Sequence, residues 1–216
     1  MPPPYPVPDP VLLVHITDVT NLPSILSDGC LYSHNKLVSS GKKPKDISYS
    51  NIQEKRAKKL VPCGPGGSLH DYVPMFFGTK PPMLYAISKG NVAGAVQDTI
   101  IYLISALPRV KAQQVPYVFT DGHGIVATTE FFTDDADMRQ VDWPLMKQMM
   151  WNETEADPDR PRRRQAEFLV KDSLPWAAVE YVATFNEAVA AQATAALQAQ
   201  GGDVDVPVLV RKGWYY

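Results

Sequence analysis

Cysteine is scarce in this sequence: Cys30 and Cys63 are the only two in 216 residues. Two cysteines supply neither a disulfide framework nor the ligand spacing of a zinc site, and they fit a reducing compartment. No apolar run approaches the roughly 20 residues of a membrane-spanning helix. The N-terminus also lacks the basic region and apolar run of a secretory signal. These absences predict a cytoplasmic protein without a membrane segment.

The motifs of several enzyme classes are missing as well. The sequence has no H-E-x-x-H and no cysteine–histidine cluster, which argues against metal catalysis, and no G-x-S-x-G, which argues against a common serine hydrolase. The glycine-rich stretch 63–68 lacks the lysine and the hydroxyl residue of a P-loop and does not join a strand to a helix. We therefore expect no bound metal and no familiar nucleotide-binding loop.

Net charge is small, at -2 for the whole chain, so no overall field would draw the protein to DNA or to an anionic membrane. Segment 36–59 is the exception, because it holds eight basic residues against only Asp46 and Glu54. This segment is either a solvated helix face or an anion-binding surface for cofactor phosphates or a nucleic-acid backbone. Its basic residues are Lys36, Lys42, Lys43, Lys45, Lys55, Arg56, Lys58 and Lys59.

The hydrophobic fraction of 45% and the charged fraction of 20% are those of an ordinary globular chain of one domain. The proline-rich residues 1–10 predict an extended arm, and residues 11–216 a single domain. Six or seven short strands and a few helices, without regular alternation, favour an α+β fold over a doubly wound sheet. The predicted strands are 11–16, 71–77, 98–107, 115–120, 165–170, 176–185 and 206–210, and the predicted helices are 22–27, 50–60, 81–86, 143–151 and 186–200. Ser50 or Asn51 is expected to cap the second of these helices and Asn186 the last, while Gly29 should end the first and Gly201-Gly202 the last.

One carboxylate, Glu167, lies inside a short apolar strand that directly follows the arginines at 162–164. Side chains alternate along a strand, so Glu167 shares a face with Gln165 and Leu169 and points away from the face of Phe168. Glu167 is then either an ordinary polar residue on the solvent-exposed face of the strand or an acid that faces a cleft.

Two histidines fall near strand ends. His15 is expected near the exit of the first strand, and His123 follows an Asp-Gly turn signal, where it should be exposed. His123 is either an ordinary turn residue or a ligand contact. Residues 152–164 mix acids with arginines and show no periodicity, which predicts a mobile loop that leads into the Glu167 strand.

Several fragments, taken together in their order, resemble DarT-type DNA ADP-ribosyltransferase toxins from about residue 11 to the end. Each fragment is weak alone, but their joint order is specific. One departure is the pair Lys80-Pro81, which stands where the family usually has an arginine-serine pair. The matching fragments are Val-His-Ile-Thr at 14–17, residues 21–29, Arg56 after a basic stretch, residues 71–77 with 82–85, Thr-Asp-Gly-His at 120–123, Gln-Ala-Glu-Phe-Leu-Val at 165–170 and Trp-Tyr-Tyr at 214–216.

The resemblance implies a PARP-like α+β fold in which a split central β-sheet is flanked by helices. It also implies transfer of one ADP-ribose from NAD to a base in single-stranded DNA, with thymine N3 as the expected acceptor. Such a toxin is paired with a macrodomain antitoxin that removes the modification. The alternatives are the same reaction on guanine or on a protein side chain, or a catalytically idle nucleic-acid-binding module.

The resemblance further implies roles for individual residues. Glu167 and Arg56 are the expected catalytic pair: Glu167 would stabilise positive charge on the ribose, and either Arg56 would stabilise the anionic base or Glu167 would take its proton. Phe77 or Tyr85 is expected to stack on nicotinamide. The expected NAD contacts are His15, Ile16, Thr17, Asn21, Ser33, Arg56, Phe77 and Tyr85, and the expected DNA contacts are His123, Met83, Lys58, Arg162, Arg163 and Arg164.

Overall fold

The structure is a computed structural model that describes residues 5–200 and 206–216. Residues 1–4 of the predicted N-terminal arm lie outside the described residues, as do the glycines at 201–202 that were expected to stop the last helix. Within the described ranges, no helix combines the length and the apolar character needed to cross a membrane.

Ten strands and eight α-helices, joined by short 3-10 turns, make up the described part of the chain. The strands are β1 (Leu12–Asp18), β2 (Cys30–Tyr32), β3 (Tyr72–Phe76), β4 (Ile100–Ala106), β5 (Tyr117–Thr120), β6 (Phe131–Phe132), β7 (Glu167–Lys171), β8 (Ser173–Pro175), β9 (Tyr181–Thr184) and β10 (Val208–Val210). The helices are α1 (Leu22–Asp28), α2 (His34–Ser39), α3 (Ser50–Lys58), α4 (Pro82–Ser88), α5 (Leu107–Ala112), α6 (Trp143–Met146), α7 (Arg160–Arg163) and α8 (Glu187–Ala199).

A mixed eight-stranded sheet in the order β10-β9-β4-β1-β3-β7-β5-β6 forms the centre of the fold. Its neighbouring strands are antiparallel except for the parallel pair of β10 and β9, and β2 and β8 form a small second sheet. Strands and helices do not alternate regularly, which confirms the predicted α+β class. The sequence pattern predicted fewer strands because β2, β6 and β8 span only two or three residues each.

The sheet is split in its middle, between β1 and β3. β1 pairs with β4 along all of its seven residues but with β3 only where Val14 faces Phe76. Beyond that point the His15 ring replaces the backbone ladder, with Nδ1 2.8 Å from the carbonyl oxygen of Pro74. Pro74 has no N–H to continue the ladder. The split central sheet that the resemblance implied is therefore present.

Both faces of β7 are buried. Phe168 and Val170 pack into the main core, whereas Leu169 packs with Leu69 and Tyr72 in a separate cluster on the other face. Glu167 shares that second face and is only 2% exposed. The alternation was predicted correctly, but the alternative of a solvent-exposed polar residue was wrong, because α3 and the 3-10 turn at Leu69–Asp71 pack over this face.

Helix ends were predicted with mixed success. Gly29 ends α1 in the left-handed region, at φ 65°, and the Asn186 side chain caps α8 by accepting a hydrogen bond from the Val189 N–H, both as expected. A cap of α3 by Ser50 or Asn51 was wrong, since Tyr49 precedes the helix and makes no side-chain cap. The helix predicted over 143–151 ends at Met146 in a tight turn.

Candidate active site

Two adjoining cavities open where β1 and β3 diverge. Their volumes are about 650 and 300 Å³, within the range of ligand pockets in proteins. Thr17 and Asn21 line only the larger cavity, and His123 and Glu167 line only the smaller one. The residues that line both are His15, Ile16, Ser48, Gln53, Arg56, Pro74 and Met83.

A buried ion pair joins Arg56 of α3 to Glu167 at the start of β7. Arg56 Nη1 lies 3.0 and 2.8 Å from the two carboxylate oxygens, and the side chains are 9% and 3% exposed. The Gly124 N–H adds a third hydrogen bond to Glu167, at 3.2 Å. Arg56 Nη2 is buried and has no hydrogen-bond partner among the described residues. This guanidinium therefore orients the acid and keeps one donor group for a ligand.

The surroundings of Glu167 hold it in the charged form. Burial by itself would raise the pKa of Glu167, but the charge of Arg56 and the hydrogen bonds from Arg56 and Gly124 oppose burial and leave that pKa below its ordinary value. At neutral pH the smaller cavity thus contains an ionised carboxylate shielded from bulk water.

His123 faces this carboxylate, with Nε2 3.9 Å from Glu167 Oε1. Its side chain is 16% exposed, so the prediction of an exposed turn residue was wrong. The turn is covered because Arg162 packs directly on Gly122, where a Cβ atom would lie 2.4 Å from the guanidinium. Burial lowers the pKa of His123 more than the nearby Glu167 raises it, so this imidazole is neutral at pH 7.

His15 lies in the middle of β1, which continues to Asp18, and not at the strand exit as predicted. A carbonyl oxygen only accepts hydrogen bonds, so the contact with Pro74 places the proton on Nδ1. Burial lowers the pKa of His15, which leaves a neutral ring. Nε2 of His15 is then an acceptor for a ligand hydroxyl in either cavity.

Thr17 and Asn21, both expected to contact NAD, line the larger cavity, yet the Asn21 amide is largely used within the protein. It donates to Thr17 Oγ1 and to the Lys45 carbonyl, at 3.0 Å each, and accepts from the Lys45 N–H at 2.8 Å. Asn21 thereby fixes the basic segment against α1. Ser33 lines neither cavity, because it is 1% exposed and its side chain caps α2 at the Lys36 N–H.

Phe77, which was expected to stack on nicotinamide, lines neither cavity. Phe77 is 4% exposed and packs in the main core, edge to face with Trp143 at 5.2 Å and Phe168 at 6.3 Å. Phe76 lies directly opposite Glu167 in the β3–β7 register and lines the smaller cavity. Stacking of Phe77 on nicotinamide is therefore ruled out by alternation. Tyr85 lines neither cavity.

The arginines before β7 are used inside the protein and do not form a mobile DNA-binding loop. Arg162 binds Asp121 and Asp159. Arg163 binds Asp142 and Asp157.

Arg164 is 2% exposed and donates from Nη2 to the carbonyl oxygens of Thr79 and Lys80, at 2.9 and 3.1 Å. The predicted DNA contact of Arg164 was wrong, since no phosphate can reach a buried guanidinium.

Met83, another predicted DNA contact, lines both cavities. Lys58 is exposed two positions beyond Arg56, and residues so spaced do not share a helix face.

Three residues of the larger cavity carried no recognisable sequence signal. Gln53 Oε1 accepts a hydrogen bond from His70 Nε2 at 2.9 Å, and the His70 ring lies 4.0 Å from that of His34. Burial, with the nearby charges of His34 and Arg56, lowers the pKa of His70 to about 4. These residues come from three separate elements, so no local spacing could reveal them.

Comparison with known proteins finds matches over nearly the whole chain. The family model described as "ssDNA thymidine ADP-ribosyltransferase, DarT" matches residues 14–216. A DNA ADP-ribosyl transferase of Thermus sp. (strain 2.9) is 39% identical over 212 residues, which cover 97% of this chain and 98% of the relative.

Solved structures of the Thermus protein have the same fold. Thermus sp. 2.9 DarT in complex with ADP-ribosylated single-stranded DNA superposes with a TM-score of 0.92 at 35% identity, covering 98% of this chain and 99% of that one. Its complex with NAD+ gives a TM-score of 0.86 at 33% identity, with 98% and 100% covered.

Proposed function

The chain belongs to the DarT family, and we propose that this NAD-dependent DNA ADP-ribosyltransferase modifies thymine N3 in single-stranded DNA through Glu167 and Arg56. The observation that carries the assignment of the site is the buried Arg56–Glu167 pair where the two cavities meet. Burying an ion pair is costly in free energy. A charged carboxylate held in this position therefore indicates a site that uses the charge.

The larger cavity is the proposed NAD site. The neutral His15 ring offers Nε2 to a ribose hydroxyl, and Ile16 and Thr17 lie beside it in the cavity wall. Lys42, Lys43 and Lys45 also line this cavity, which supports an anion-binding role for this part of segment 36–59. Lys42 and Lys45 are already paired with Asp28 and Asp18, so Lys43 is the lysine proposed for the diphosphate.

Glu167 is placed to stabilise the reacting ribose. As the bond between ribose C1′ and nicotinamide breaks, the bonding pair leaves with nicotinamide, which departs neutral, and positive charge develops on the ribose. An ionised carboxylate already fixed beside that charge lowers the barrier without reorganisation. The pKa of Glu167, held below its ordinary value, keeps the carboxylate ionised for this step.

The smaller cavity is the proposed site of the acceptor base. Thymine N3 forms the new bond to C1′ and must give up its proton, and the negative charge that develops spreads onto the two carbonyl oxygens of the base. Arg56 Nη2, buried without a partner among the described residues, is the proposed donor to one of those oxygens. Glu167 or the neutral His123 accepts the proton, and Phe76 and Met83 provide apolar walls.

The acceptor must be unpaired, because N3 lies on the Watson–Crick edge and is hidden in a duplex. A thymine that carries ADP-ribose at N3 can no longer pair with adenine, so the modification would stop copying of the strand. We therefore propose that the protein acts in the cytoplasm as the toxin of a toxin–antitoxin pair. A macrodomain antitoxin that hydrolyses the adduct is the proposed partner.

The test is incubation with NAD and short single-stranded oligonucleotides of defined composition, followed by mass spectrometry. We expect ADP-ribose adducts on oligonucleotides that contain thymine and none on matched sequences in which every thymine is replaced by cytosine. Adducts on guanine alone would identify guanine, and not thymine, as the acceptor base. The absence of adducts on every composition would reject the proposed reaction.

A further inference from the structure

A group of aromatic rings at the edge of the smaller cavity has no part in the chemistry above. Tyr85 of α4 packs edge to face against Trp151, with ring centroids 6.0 Å apart, and against Tyr216, with centroids 5.1 Å apart. Tyr85 is nevertheless 39% exposed. A tyrosine that served only to fill the core would be expected to be buried.

Two lysines lie over these rings. Lys80 Nζ is 5.6 Å from the centre of Tyr216, and Lys89 Nζ is 5.3 Å from the centre of Tyr85. Neither lysine forms a salt bridge with a carboxylate within residues 5–200 and 206–216. The Tyr85 surface, defined here as Tyr85, Trp151, Tyr216, Lys80 and Lys89, thus combines exposed aromatic area with positive charge that is not neutralised.

The Tyr85 surface is continuous with the candidate active site. Trp151 belongs to the surface and also lines the smaller cavity, together with Met83 and Glu167. Tyr216 is held beside Trp151, whose Nε1 donates to the Tyr216 hydroxyl at 3.5 Å, and this hydroxyl donates to the Lys80 carbonyl at 2.8 Å. A chain that places one base beside Glu167 would carry its neighbouring nucleotide onto these rings.

Resting on the proposed function, we infer that the Tyr85 surface binds a nucleotide that flanks the modified base. If the target base is unpaired, its neighbours in single-stranded DNA are unpaired too and present their flat faces. Aromatic side chains stack with such bases regardless of sequence, and lysines follow the phosphates between them. The Tyr85 surface supplies both groups, whereas Arg162, Arg163 and Arg164 are engaged within the protein.

Charge favours DNA over a protein partner at this surface. Lysine is depleted at the centres of protein–protein interfaces, yet Lys80 and Lys89 lie directly over the two rings of this surface. A polyanion satisfies both lysines and at the same time covers the apolar rings. Covering by another protein is the competing outcome that the experiment separates.

The experiment measures the binding of fluorescently labelled thymine oligonucleotides by anisotropy, without NAD, for Tyr85→Ala and Tyr85→Phe. With an oligonucleotide that extends several bases to both sides of the thymine, we expect Tyr85→Ala to bind roughly tenfold more weakly, since stacking on one ring is worth about that much. With a labelled single thymidine nucleotide, which has no neighbour to reach the rings, it should bind like the wild type. Tyr85→Phe keeps the ring and should retain wild-type affinity for both.

Lys89→Ala tests the phosphate contact without disturbing the rings. Loss of one phosphate contact to a single strand lowers the slope of log affinity against log salt concentration by about 0.7. The matched control is Lys212→Ala, because Lys212 Nζ lies 5.6 Å from the centre of Phe185 and neither residue lines either cavity. The control should leave the salt slope unchanged.

Unchanged affinity of Tyr85→Ala for the long oligonucleotide would overturn the inference and leave a protein partner as the occupant. Equal weakening in Tyr85→Phe would overturn it as well, because ring stacking would not be the cause. If Tyr85→Ala is unfolded by thermal melting, the Lys89→Ala salt slope decides. Weakened binding by the variants while the wild type forms no DNA adduct would keep the surface and reject the proposed reaction.

Discussion

Arg56 Nη1 donates to both carboxylate oxygens of Glu167, at 3.0 and 2.8 Å, although the two residues are 111 positions apart in the chain. A single nitrogen therefore orients the whole carboxylate. The second terminal nitrogen of the guanidinium stays available inside the protein. The pair can thus position the acid and contact a substrate at the same time.

Arg56→Ala should lose far more DNA transfer than NAD binding. We expect transfer to fall by roughly 100-fold or more, since a preorganised charged donor is removed from the transition state, while NAD affinity changes by only a few fold. NAD affinity measured by calorimetry and transfer rates measured at saturating NAD separate the two effects. Asn51→Ala, an exposed change in the same helix, is the control. A variant that no longer binds NAD yet transfers normally at saturation would contradict the role of Arg56.

Loss of Arg56 should also raise the pKa of Glu167. In the wild type the charge of Arg56 is the largest influence that opposes burial of the carboxyl group. Without it burial dominates and favours the protonated acid. As the pH falls, the residual NAD cleavage by Arg56→Ala should therefore decline at a higher pH than NAD cleavage by the wild type. Coincident pH profiles of wild type and variant would contradict this electrostatic account.

Replacing both members of the pair should separate stability from activity. Arg56→Met or Glu167→Leu alone leaves one buried charge without its partner, at a cost of about 3–5 kcal/mol in the free energy of unfolding. The double variant should recover much of that loss, because it buries no charge, and yet remain inactive. Urea denaturation of the four proteins gives the coupling. A double variant whose stability equals the sum of the single losses would show that the two side chains do not depend on each other.

His70 should make the protein less stable in mild acid. Its pKa is about 4 in the folded protein against an ordinary value of 6.5, so between these pH values the unfolded chain binds a proton that the folded chain does not. The contribution is fully present above pH 6.5 and is lost as the pH falls toward 4, by up to about 3 kcal/mol. Urea denaturation at pH 7 and pH 4.5 should show that His70→Gln loses less unfolding free energy between these pH values than the wild type does. An identical loss in both proteins would contradict the assignment.

Arg164 should matter for stability and not for DNA. Arg164→Met removes the donors to the Thr79 and Lys80 carbonyls and should lower the free energy of unfolding by about 2–3 kcal/mol. The salt dependence of oligonucleotide binding should stay that of the wild type. Wild-type stability together with a weaker salt dependence would restore Arg164 as a phosphate contact.

Local patterns predicted the parts of the fold that depend on near neighbours in sequence. Alternation placed Glu167 away from the Phe168 core, the apolar run around Ile101 predicted the fully buried β4, and Asn186 predicted the start of α8. These features follow from the geometry of one strand or one helix. For the candidate site, His15, Thr17, Arg56, Met83, His123 and Glu167 line the two cavities, and their roles stay predictions from the resemblance.

Long-range pairing decided the features that the sequence did not reveal. Whether Phe76 or Phe77 faces the cavity depends on the register of β3 against β7, which one strand alone does not encode. The burial of Glu167 depends on α3, over 100 positions earlier in the chain. The arginines before β7 appeared free in the sequence because one of their partners, Asp121, lies 41 positions away.

The most direct test of the central claim is a single-turnover assay with Glu167→Gln, which keeps the size of the side chain and removes its charge. The enzyme is mixed with NAD and a thymine oligonucleotide, and the ADP-ribosylated product is quantified over time by mass spectrometry. We expect wild-type transfer, no detectable transfer by the variant, and retained oligonucleotide and NAD binding by both. Transfer by Glu167→Gln at the wild-type rate would contradict the role of this carboxylate.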